Sequence, residues 1–340
     1  MKKTIVSFIV IAYNAGNKLI SLLDDLNKQS YNHKCIEVIL VDSSSSDNTK
    51  EIMNKFRCSK NDFIRVKVLD NPKKVLPSGW NIAIKEAQGD VILRVDAHSS
   101  LPEDFIEKNV KYINEGEKIV GGHRISIIDE DNKWQKVLLT AEKSLFGSGI
   151  AAYRRSESTR YVSTLAHAAY SKEVFDVVGP YNEKLFRTED NEMHYRMREK
   201  GYKFYFNPEI VSYHHARNEF KKMCKQKYLN GYWIGLTMGV CPRCFSVYHL
   251  VPFLFVFSLI ICSLLALTLN VSIPLIMLIV AYVFVNLIIS LIEIVKNKFS
   301  IQMLALPFIL VSLHICYGIG TLVGFIKLPI FLKNYKEYKG

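Results

Sequence analysis

The sequence predicts an α/β protein with a doubly wound, mostly parallel sheet, followed by C-terminal transmembrane helices. Two observations lead to this prediction. Over the first 235 residues, short aliphatic runs alternate with amphipathic helical stretches, which is the pattern of parallel strands joined by helices. Farther along, residues 245–292 and 299–326 contain no Asp, Glu, Lys or Arg, so the composition changes to that of a membrane protein.

The soluble part is predicted to contain strands and helices in strict alternation. The first strand, TIVSFIVIA, is almost entirely apolar, as expected for a strand that is buried on both faces of a parallel sheet. Ligands of such sheets bind at the carboxyl ends of the strands. The predicted strands are 4–12, 36–42, 63–69, 89–96 and 118–122, and the predicted helices are 17–28, one that starts within 43–56, 77–87 and 103–114.

The first uncharged stretch predicts two transmembrane helices. A single helix over residues 245–292 would be ~70 Å long at 1.5 Å per residue, about twice the ~30 Å thickness of a bilayer core. The chain must therefore fold back, and the segment 270–274 is the natural place for the turn. This gives transmembrane helices at about 245–268 and 273–295.

The second uncharged stretch predicts a membrane segment at about 301–327 that does not cross the bilayer. Pro307 interrupts this segment, and a full crossing would carry the lysines near the C-terminus out of the cytoplasm, against the positive-inside rule. We expect the segment to lie along the interface or to re-enter the membrane. The predicted soluble and membrane regions are 1–235 and 236–340.

Composition and short motifs argue against several functions. The formal net charge is +12, but no long basic runs are interleaved with aromatic residues, so nucleic acid is not an expected partner. Anionic lipid headgroups or phosphorylated substrates account for the excess charge. The seven cysteines are odd in number and scattered, which indicates a reducing compartment. Neither GxGxxG nor GxxxxGK[ST] is present, so a Rossmann dinucleotide site and a P-loop are not predicted.

Asp96 and His98 follow the fourth predicted strand, in the stretch VILRVDAHSS. At a spacing of two they would lie on the same face of a strand, and just past its end both can reach one cation. One carboxylate oxygen and one imidazole nitrogen leave several positions open, which suits Mg²⁺ or Mn²⁺ bound together with a diphosphate. The alternative is a turn in which Asp96 accepts from backbone N–H groups. Asp42, at the end of the neighbouring strand, favours the metal site.

Seven segments of the soluble part, taken in order, resemble a known family. They are FIVIAYNAG (8–16), VDSSSSDNT (41–49), GWNIAI (79–84), RVDAH (94–98), GG (121–122), RTEDNEMHYRMREKGYKFYFNP (187–208) and QKYLNGYW (226–233). Each segment is weak alone, but their order is specific. The chain resembles the family 2 glycosyltransferases, which are inverting enzymes of the GT-A fold. It is most similar to the membrane-attached ExoA-like enzymes of succinoglycan and exopolysaccharide synthesis.

The resemblance implies a site for a nucleotide diphosphate sugar, with a UDP-sugar as the expected donor, and a divalent cation, Mg²⁺ or Mn²⁺. The residues implied for the nucleotide sugar are Ala12, Tyr13, Asp42, Asp47, Asn81, Arg94 and Asp96. The implied metal ligands are Asp96 and His98, where His98 replaces the second aspartate of the common DxD motif. His214 or His215 would be a further ligand, and the doublet leaves that choice open.

The resemblance also implies catalytic roles for Glu189 and Asp190. Thr188 suits an N-cap, which would place both acids in a first helical turn, where the helix dipole favours ionised carboxylates. An inverting transfer needs a carboxylate to deprotonate the acceptor hydroxyl as it attacks the anomeric carbon. By resemblance Asp190 is this base and Glu189 orients. The alternative is that both acids only stabilise the start of a helix.

Two groups of residues are candidates for the acceptor site. Arg154, Arg155 and Arg160 would suit the oxygens of an acceptor diphosphate, and a solvated basic loop is an equal alternative. Tyr228 and Trp233 suggest an aromatic shelf for sugar rings or for the membrane interface. The segment QKYLNGYW lacks the arginine of the QxxRW motif of processive synthases, which favours the addition of a single sugar.

We therefore expect an inverting glycosyltransferase that transfers one sugar to a polyprenyl-diphosphate-linked saccharide in the synthesis of surface or extracellular polysaccharide. The alternatives are a polyprenyl-phosphate monosaccharide synthase and a non-catalytic scaffold of a synthesis complex. The protein would be a multi-pass protein of the cell membrane. Its catalytic domain would be cytoplasmic, because nucleotide sugars are made there.

Overall fold

The structure is a computed structural model, and it describes residues 3–128, 132–147, 157–215, 219–297 and 299–337. The chain forms two compact units. Unit 1 comprises residues 1–127 and 151–215, and unit 2 comprises residues 128–150 and 216–340. The units thus divide the chain at other positions than the predicted boundary after residue 235.

Nine strands form one mixed sheet in the described part of unit 1. The strands are β1 (Val6–Ala12), β2 (Ile36–Asp42), β3 (Arg65–Asp70), β4 (Val91–Asp96), β5 (Ser99–Ser100), β6 (Ile119–Ile127), β7 (Arg160–Val162), β8 (Ala168–Ser171) and β9 (Phe204–His215). The helices of this unit are α1 (Asn17–Asn27), α2 (Thr49–Cys58), α3 (Leu76–Glu86), α4 (Phe105–Asn114), α6 (Glu173–Val178) and α7 (Glu189–Glu199).

The sheet is parallel in its first half and mixed in its second. Its strand order is β3-β2-β1-β4-β8-β6-β9-β5, with β7 paired to β9. Strands β1 to β4 are parallel to one another, which confirms the predicted alternation of strands and helices. Strand β8 is antiparallel to both β4 and β6. In register, Ala12 lies opposite Asp42 and Ile11 opposite Asp96, so three predicted site residues share one edge of the sheet.

Apolar residues cover both faces of this sheet. On one face, Phe8, Val10 and Leu93 pack with helices α1, α2 and α4. On the other face, Ile9 and Ile92 pack with helices α3, α6 and α7. Because side chains alternate along a strand, a strand that is covered on both sides is expected to be apolar along its length. In β1 this holds for every residue except Ser7, whose hydroxyl donates a hydrogen bond to Glu37.

The pair Gly121-Gly122 lies where β6 and β9 change register. The pairing moves from Gly121 opposite Phe206 to His123 opposite Val211, so residues 207–210 of β9 form a bulge. A Cβ atom on Gly122 would overlap the carbonyl oxygens of Asn207 and Ile210. Glycine at this position therefore lets the backbone of the bulge approach β6.

Unit 2 is helical in its described part. Its helices are α5 (Lys133–Lys143), α8 (Phe220–Thr237), α9 (Val251–Leu269), α10 (Ile273–Lys296) and α11 (Leu306–Glu337). Three segments, 247–269, 273–296 and 301–335, are long and apolar enough to span a membrane. Helices α9 and α10 overlap the predicted transmembrane helices at 245–268 and 273–295, and their crossing of a membrane stays a prediction.

The third membrane segment differs from its prediction in one respect. Pro307 does not interrupt the helix, because it lies in the first turn of α11, where its missing N–H has no helical partner to lose. The helix then continues to Glu337, ten residues beyond the predicted end.

We predict that Gly122→Ala lowers the free energy of unfolding by about 1–3 kcal/mol, because the added methyl group overlaps two backbone carbonyls that cannot rotate away. Gly121→Ala is the matched control, since its Cβ would lie 3.0 Å from the carbonyl oxygen of His167 and needs only a small adjustment. Denaturant unfolding of both variants measures the difference. Equal losses would contradict the role assigned to Gly122.

Candidate active site

The ends of β1 and β2 form one wall of the candidate site. Ala12 is buried at the end of β1, and Tyr13, which follows it, is exposed. Asp42 is buried at the end of β2, and its carboxylate accepts a hydrogen bond from the Ser45 backbone N–H at 3.2 Å. The carboxylate oxygens of Asp42 have further lone pairs for a ligand.

Hydrogen bonds join the loops that follow β1 and β2. Asn14 has a positive φ of 48°, and its side-chain oxygen accepts from the Ser46 backbone N–H at 2.8 Å. The Thr49 hydroxyl accepts from the Ala15 N–H at 2.8 Å. Asp47 is exposed, accepts from the Thr49 N–H at 3.0 Å, and has its pKa lowered by hydrogen bonds from Thr49. Tyr13, Asp42 and Asp47 therefore belong to one cross-linked pair of loops.

Arg94 connects β4 to α7. Its guanidinium group donates to both carboxylate oxygens of Asp190, with Nη2 at 2.8 Å from Oδ2. The same group lies 4.5 Å from the ring centre of Trp80 and 5.9 Å from that of Tyr181. The Arg94 side chain is only 6% exposed, whereas that of Asp190 is 35% exposed. Arg94 thus holds Asp190 from the buried side, and its predicted contact with a nucleotide sugar stays a prediction.

Glu189 and Asp190 are the first two residues of α7, after Thr188, as predicted. Glu189 is 4% exposed, and its Oε2 atom has no hydrogen-bond partner among the residues that the structure describes. Burial raises the pKa of Glu189 to about 8, the charge of Asp190 adds to this, and Arg94 opposes it. Glu189 is therefore a neutral carboxylic acid at neutral pH, in contrast with the two ionised acids expected at this helix start.

His194 fixes α7 against the sheet. It is buried, its Nδ1 lies 2.8 Å from the Thr164 hydroxyl, and its Nε2 lies 3.0 Å from the Tyr170 hydroxyl. Burial lowers the pKa of His194 to about 4, so the ring is neutral. Both nitrogens are occupied by hydroxyl groups, which makes this histidine a structural support for the turn that carries Asp190.

Asp96, at the end of β4, pairs with a buried histidine that was not predicted. Nε2 of His167 lies 3.2 Å from Oδ2 of Asp96, and Nδ1 of His167 lies 2.9 Å from the Ser212 hydroxyl. Burial raises the pKa of Asp96, but the hydrogen bond from His167 and the charges of Arg124 and Arg94 outweigh it, so this pKa lies well below its usual range.

The ring of His167 is neutral and its tautomer follows from its partners. Burial lowers the pKa of His167, although the hydrogen bond to Asp96 opposes this. An ionised carboxylate only accepts hydrogen bonds, so Nε2 of His167 carries the proton and Nδ1 accepts from Ser212. The Asp96 side chain is 37% exposed and stays a carboxylate that can bind a cation.

The structure separates the two histidines of the doublet. Ser99 in β5 lies opposite His214 in β9, which brings His214 next to the residue that follows His98. His214 also shares a strand face with Ser212, the partner of His167. His215 is exposed on the opposite face, where its ring lies 3.5 Å from the Ser100 hydroxyl. The strand geometry therefore favours His214 as the histidine near Asp96.

The donor set suits a cation that takes most of its ligands from elsewhere. Within the described ranges, no three His, Cys, Asp or Glu side chains come together as a ready-made metal site. Asp96 offers an ionised, partly exposed oxygen, and His98 and His214 are half-buried at neighbouring positions of the sheet edge. Mg²⁺ and Mn²⁺ commonly use one or two protein ligands together with phosphate oxygens and water, so these residues fit such an ion.

The other predicted residues lie in different surroundings. Asn81 on α3 holds the loop before α7, because its side-chain oxygen accepts from the Tyr181 N–H at 2.7 Å and its amide donates to the Tyr181 carbonyl at 2.9 Å. Arg160 is exposed on β7. Arg154 and Arg155 lie outside the described residues. Tyr228 and Trp233 are half-buried on α8 in unit 2.

Three residues of the site were missed by sequence analysis: Trp80, His167 and Tyr181. Trp80 lies inside the quoted segment GWNIAI, yet nothing in the spacing indicates that its ring would stack on Arg94. His167 lies in the apolar stretch TLAHAAY, where a lone histidine carries no signal of its partner. The contacts of Asp96 with His167 and of Arg94 with Tyr181 join residues 71 and 87 positions apart, so no local pattern could predict them.

The sheet edge carries Asp42 and Asp96, and helix α7, on one face of the same sheet, starts with two acids. The chain belongs to glycosyl transferase family 2. The sequence model of this family matches residues 7–179, just over half of the 340 residues. The chain is therefore a glycosyltransferase, and the alternative of a non-catalytic scaffold is set aside. The matched residues end before α7, so the placement of Glu189 and Asp190 comes from the structure.

Similar proteins cover nearly the whole chain. A dolichyl N-acetyl-alpha-D-glucosaminyl phosphate 3-beta-D-2,3-diacetamido-2,3-dideoxy-beta-D-glucuronosyltransferase of Methanococcus voltae is 25% identical over 332 residues, 95% of this chain and 97% of that protein. The succinoglycan biosynthesis protein ExoA of Rhizobium meliloti (strain 1021) is 28% identical over 217 residues, 62% of this chain and 63% of ExoA. The resemblance to ExoA-like enzymes is thus confirmed.

A solved structure shows the same fold. The mannosyltransferase PcManGT from Pyrobaculum calidifontis, in complex with GDP-Man and Mn²⁺, has a TM-score of 0.63 at 15% sequence identity. The match covers 95% of this chain and 88% of that one. The predicted GT-A fold is confirmed by this likeness.

We predict that Glu189→Gln raises the melting temperature, and by more at pH 8 than at pH 5. The pKa of Glu189 in the folded protein, about 8, lies above the ordinary value of 4.5, so the unfolded chain loses this proton at lower pH than the folded one. The wild type therefore loses stability as the pH rises from about 4.5 to 8, whereas the neutral glutamine does not. Thermal unfolding at the two pH values measures this.

Glu192→Gln is the control for that experiment. Glu192 lies in the next turn of α7 and pairs with Arg196, at 2.7 Å between Oε1 and Nε. Loss of this ion pair should lower the melting temperature at pH 8. If Glu189→Gln also lowered the melting temperature at pH 8, Glu189 would be ionised in the folded protein.

Proposed function

We propose that the protein is an inverting glycosyltransferase that transfers one sugar from a nucleotide diphosphate sugar to a lipid-linked saccharide. The observation that carries this proposal is the pairing of Arg94 with Asp190. Arg94 holds Asp190, the proposed base, and Asp96 is proposed to bind the donor. These two residues are two positions apart on β4, which is about 7 Å along the strand.

Asp190 is the proposed base. Its carboxylate is partly exposed, fixed in direction by two hydrogen bonds, and placed at a helix start. It would accept the proton of the acceptor hydroxyl while that oxygen attacks the anomeric carbon and the nucleoside diphosphate leaves from the opposite side. Arg94 prevents rotation of the carboxylate, which preserves the attack geometry.

We propose that Glu189 acts as a neutral acid. The family resemblance had implied an ionised carboxylate that orients. As a neutral acid next to Asp190 it is a hydrogen-bond donor, and its protonation avoids a second negative charge beside the base. The raised pKa of Glu189 and the two hydrogen bonds from Arg94 to Asp190 keep the roles of the two carboxyl groups distinct.

The donor would bind at the edge formed by β1, β2 and β4. Asp42 and the loop residues Tyr13 and Asp47 are proposed to hold the nucleoside, and Asp96 the ribose and the cation. His98 and His214 would complete the protein ligands of Mg²⁺ or Mn²⁺. A bound cation would neutralise the negative charge that develops on the leaving diphosphate. The solved mannosyltransferase with GDP-Man and Mn²⁺ supports this class of donor and metal, and the expected UDP-sugar stays a prediction.

The acceptor is proposed to be a polyprenyl-type lipid that already carries a sugar. The similar enzyme of Methanococcus voltae is named for a dolichyl-linked N-acetylglucosaminyl phosphate, and ExoA for succinoglycan biosynthesis. The first of these names favours a lipid-linked saccharide over the bare lipid phosphate of a monosaccharide synthase. Unit 2 would anchor the protein in the cell membrane through several spans, with unit 1 on the cytoplasmic side, where nucleotide sugars are made.

We predict that detergent-solubilised protein binds one of UDP, GDP and dTDP more tightly in the presence of Mn²⁺, and that Asp96→Ala removes this dependence. His98→Ala and His214→Ala should weaken it, and His215→Ala is the matched control that should leave it unchanged. Titration calorimetry measures all four variants without the need for an acceptor. If the nucleotide affinity depended neither on Mn²⁺ nor on the Asp96 substitution, Asp96 and His98 would have only a structural role in the turn after β4.

We predict that Asp190→Asn lowers sugar transfer by ~100-fold or more because the base is lost, with unchanged nucleotide binding by the folded variant. The variant should also be less stable, because Arg94 loses its charge partner. Arg94→Lys should lower kcat and leave KM for the donor similar, because lysine keeps the charge but loses the two-pronged hydrogen bond. The assay follows labelled sugar onto lipid by thin-layer chromatography. Labelled lipid formed from polyprenyl phosphate without a saccharide would identify the monosaccharide synthase instead.

A further inference from the structure

Two glycines of α11 give the register of this helix against α8. An added Cβ on Gly320 would overlap the carbonyl oxygen of Tyr228, and one on Gly324 would overlap that of Tyr232. A step of four residues along α11 is thus matched by a step of four residues in the same direction along α8. The two helices are therefore parallel, and their backbones touch over a full turn.

The same register brings Cys224 and Cys316 together. Cys224 lies four residues before Tyr228, and Cys316 lies four residues before Gly320, so each is one turn before a matched position. Residues four apart lie on the same face of a helix, which places both cysteines in the contact between α8 and α11. A hydrogen bond between the two thiol side chains agrees with this register.

The contact between the helices continues on the far side of the cysteine pair. The ring of Phe220, at the start of α8, lies 6.3 Å from that of Phe308 on α11. Met223 of α8 is buried in one apolar cluster with Leu310 and Leu313 of α11. The cysteine pair therefore lies inside a packed helix interface and not at a frayed end, so its two sulfur atoms stay within reach of each other.

The close approach of the backbones suits a covalent bond between the two sulfur atoms. Disulfides join residues whose Cα atoms are ~4.4–6.8 Å apart. A Cβ added to Gly235 would lie only 2.9 Å from the Cα of Gly324, so the two backbones are in contact there. The hydrogen bond between the thiols shows that the helices are still close at Cys224, about three turns earlier on α8.

Both cysteines are half-buried free thiols in the resting protein. Burial raises the pKa of Cys224 to about 11, and the neighbouring thiol of Cys316 adds to this rise. Cys224 is therefore protonated at neutral pH. Because the thiolate is the reactive form of cysteine, the first oxidation of this pair is slow. Free thiols at rest also agree with the reducing compartment that the cysteine pattern of the sequence indicates.

We propose that Cys224 and Cys316 are an oxidation site, at which hydrogen peroxide converts the two thiols into a disulfide between α8 and α11. The peroxide first oxidises one sulfur to a sulfenic acid and releases one water molecule. The other cysteine then attacks this sulfur, the S–S bond forms, and the hydroxyl group leaves with the proton of the attacking thiol as a second water molecule. The two thiols together lose two electrons and two protons, and an excess of a small thiol reverses the reaction by exchange.

The disulfide would fix α8 to α11 and enclose α9 and α10 in one covalent loop. A cross-link between residues distant in sequence restricts the unfolded chain, so it stabilises the folded state. The site lies within unit 2 and does not depend on the proposed reaction. Neither of its tests measures sugar transfer.

The first test locates the bond by mass spectrometry. The full chain in detergent is incubated with hydrogen peroxide for hours, the remaining thiols are alkylated, and the protein is digested without a reductant. We expect one cross-linked pair of peptides, which contain Cys224 and Cys316 and separate when a small thiol is added. This measurement uses the wild-type chain, so it does not depend on the folding of a variant.

The second test measures the melting temperature before and after oxidation. Peroxide treatment should raise the melting temperature of the wild type, because the disulfide restricts the unfolded chain. The variant C224A/C316A should show no such rise. The control C241A/C244A removes the two cysteines of the segment CPRC, which is also in unit 2, and should keep the rise.

Two results would overturn the oxidation site. One is a disulfide between Cys241 and Cys244 with none between Cys224 and Cys316, which would assign the oxidisable pair to CPRC instead. The other is recovery of Cys224 and Cys316 from oxidised protein in separate peptides, either alkylated or as sulfinic acids, which would show that their sulfur atoms do not meet.

Discussion

The ion pair between Arg94 and Asp190 is the interaction on which the candidate site depends. It joins the central strand β4 to the helix that carries both acids, and it is covered by Trp80 and Tyr181. Loss of Asp190 would leave a buried guanidinium without its charge partner, which costs ~3–5 kcal/mol for fully buried pairs and less here because Asp190 is 35% exposed. Asn81 extends this support, since it holds the backbone of Tyr181. The position of Asp190, the proposed base, is thus set by residues from α3, β4 and the loop before α7.

The same pair also decides the charges of the site. Asp190 accepts two hydrogen bonds from Arg94, and burial together with the charge of Asp190 raises the pKa of Glu189. Asp96 has similar support. The buried His167 donates a hydrogen bond to it, and the charges of Arg124 and Arg94 lower its pKa further. The carboxylates of Asp190 and Asp96 therefore each have a basic residue on their buried side and solvent on the other. A carboxylate arranged in this way is fixed in direction and still open to a substrate or a cation.

The sequence was sufficient for the order of the elements and for the residues at the strand ends. Parallel strands that are buried on both faces leave a clear apolar signal, as in TIVSFIVIA, and the acids at the start of α7 follow a local rule. The short strands β5, β7 and β8 carry no such signal, because they are set by pairing with distant strands. The choice between His214 and His215 needed the β5–β9 register, and the state of Glu189 needed its burial. Sequence patterns report local periodicity, and these features depend on contacts made across the fold.

The spacing of Arg94 and Asp96 limits the insertions and deletions that strand β4 can accept. Ile92, Arg94 and Asp96 point to the face of the sheet that carries α7, and Leu93 and Val95 point to the face that carries α1 and α4. Deletion of one residue between Arg94 and Asp96 would turn the aspartate toward the apolar core, whereas many single substitutions in β4 would only alter packing. Lineages of this enzyme can therefore drift in composition along β4, but insertions and deletions there are expected to be removed by selection.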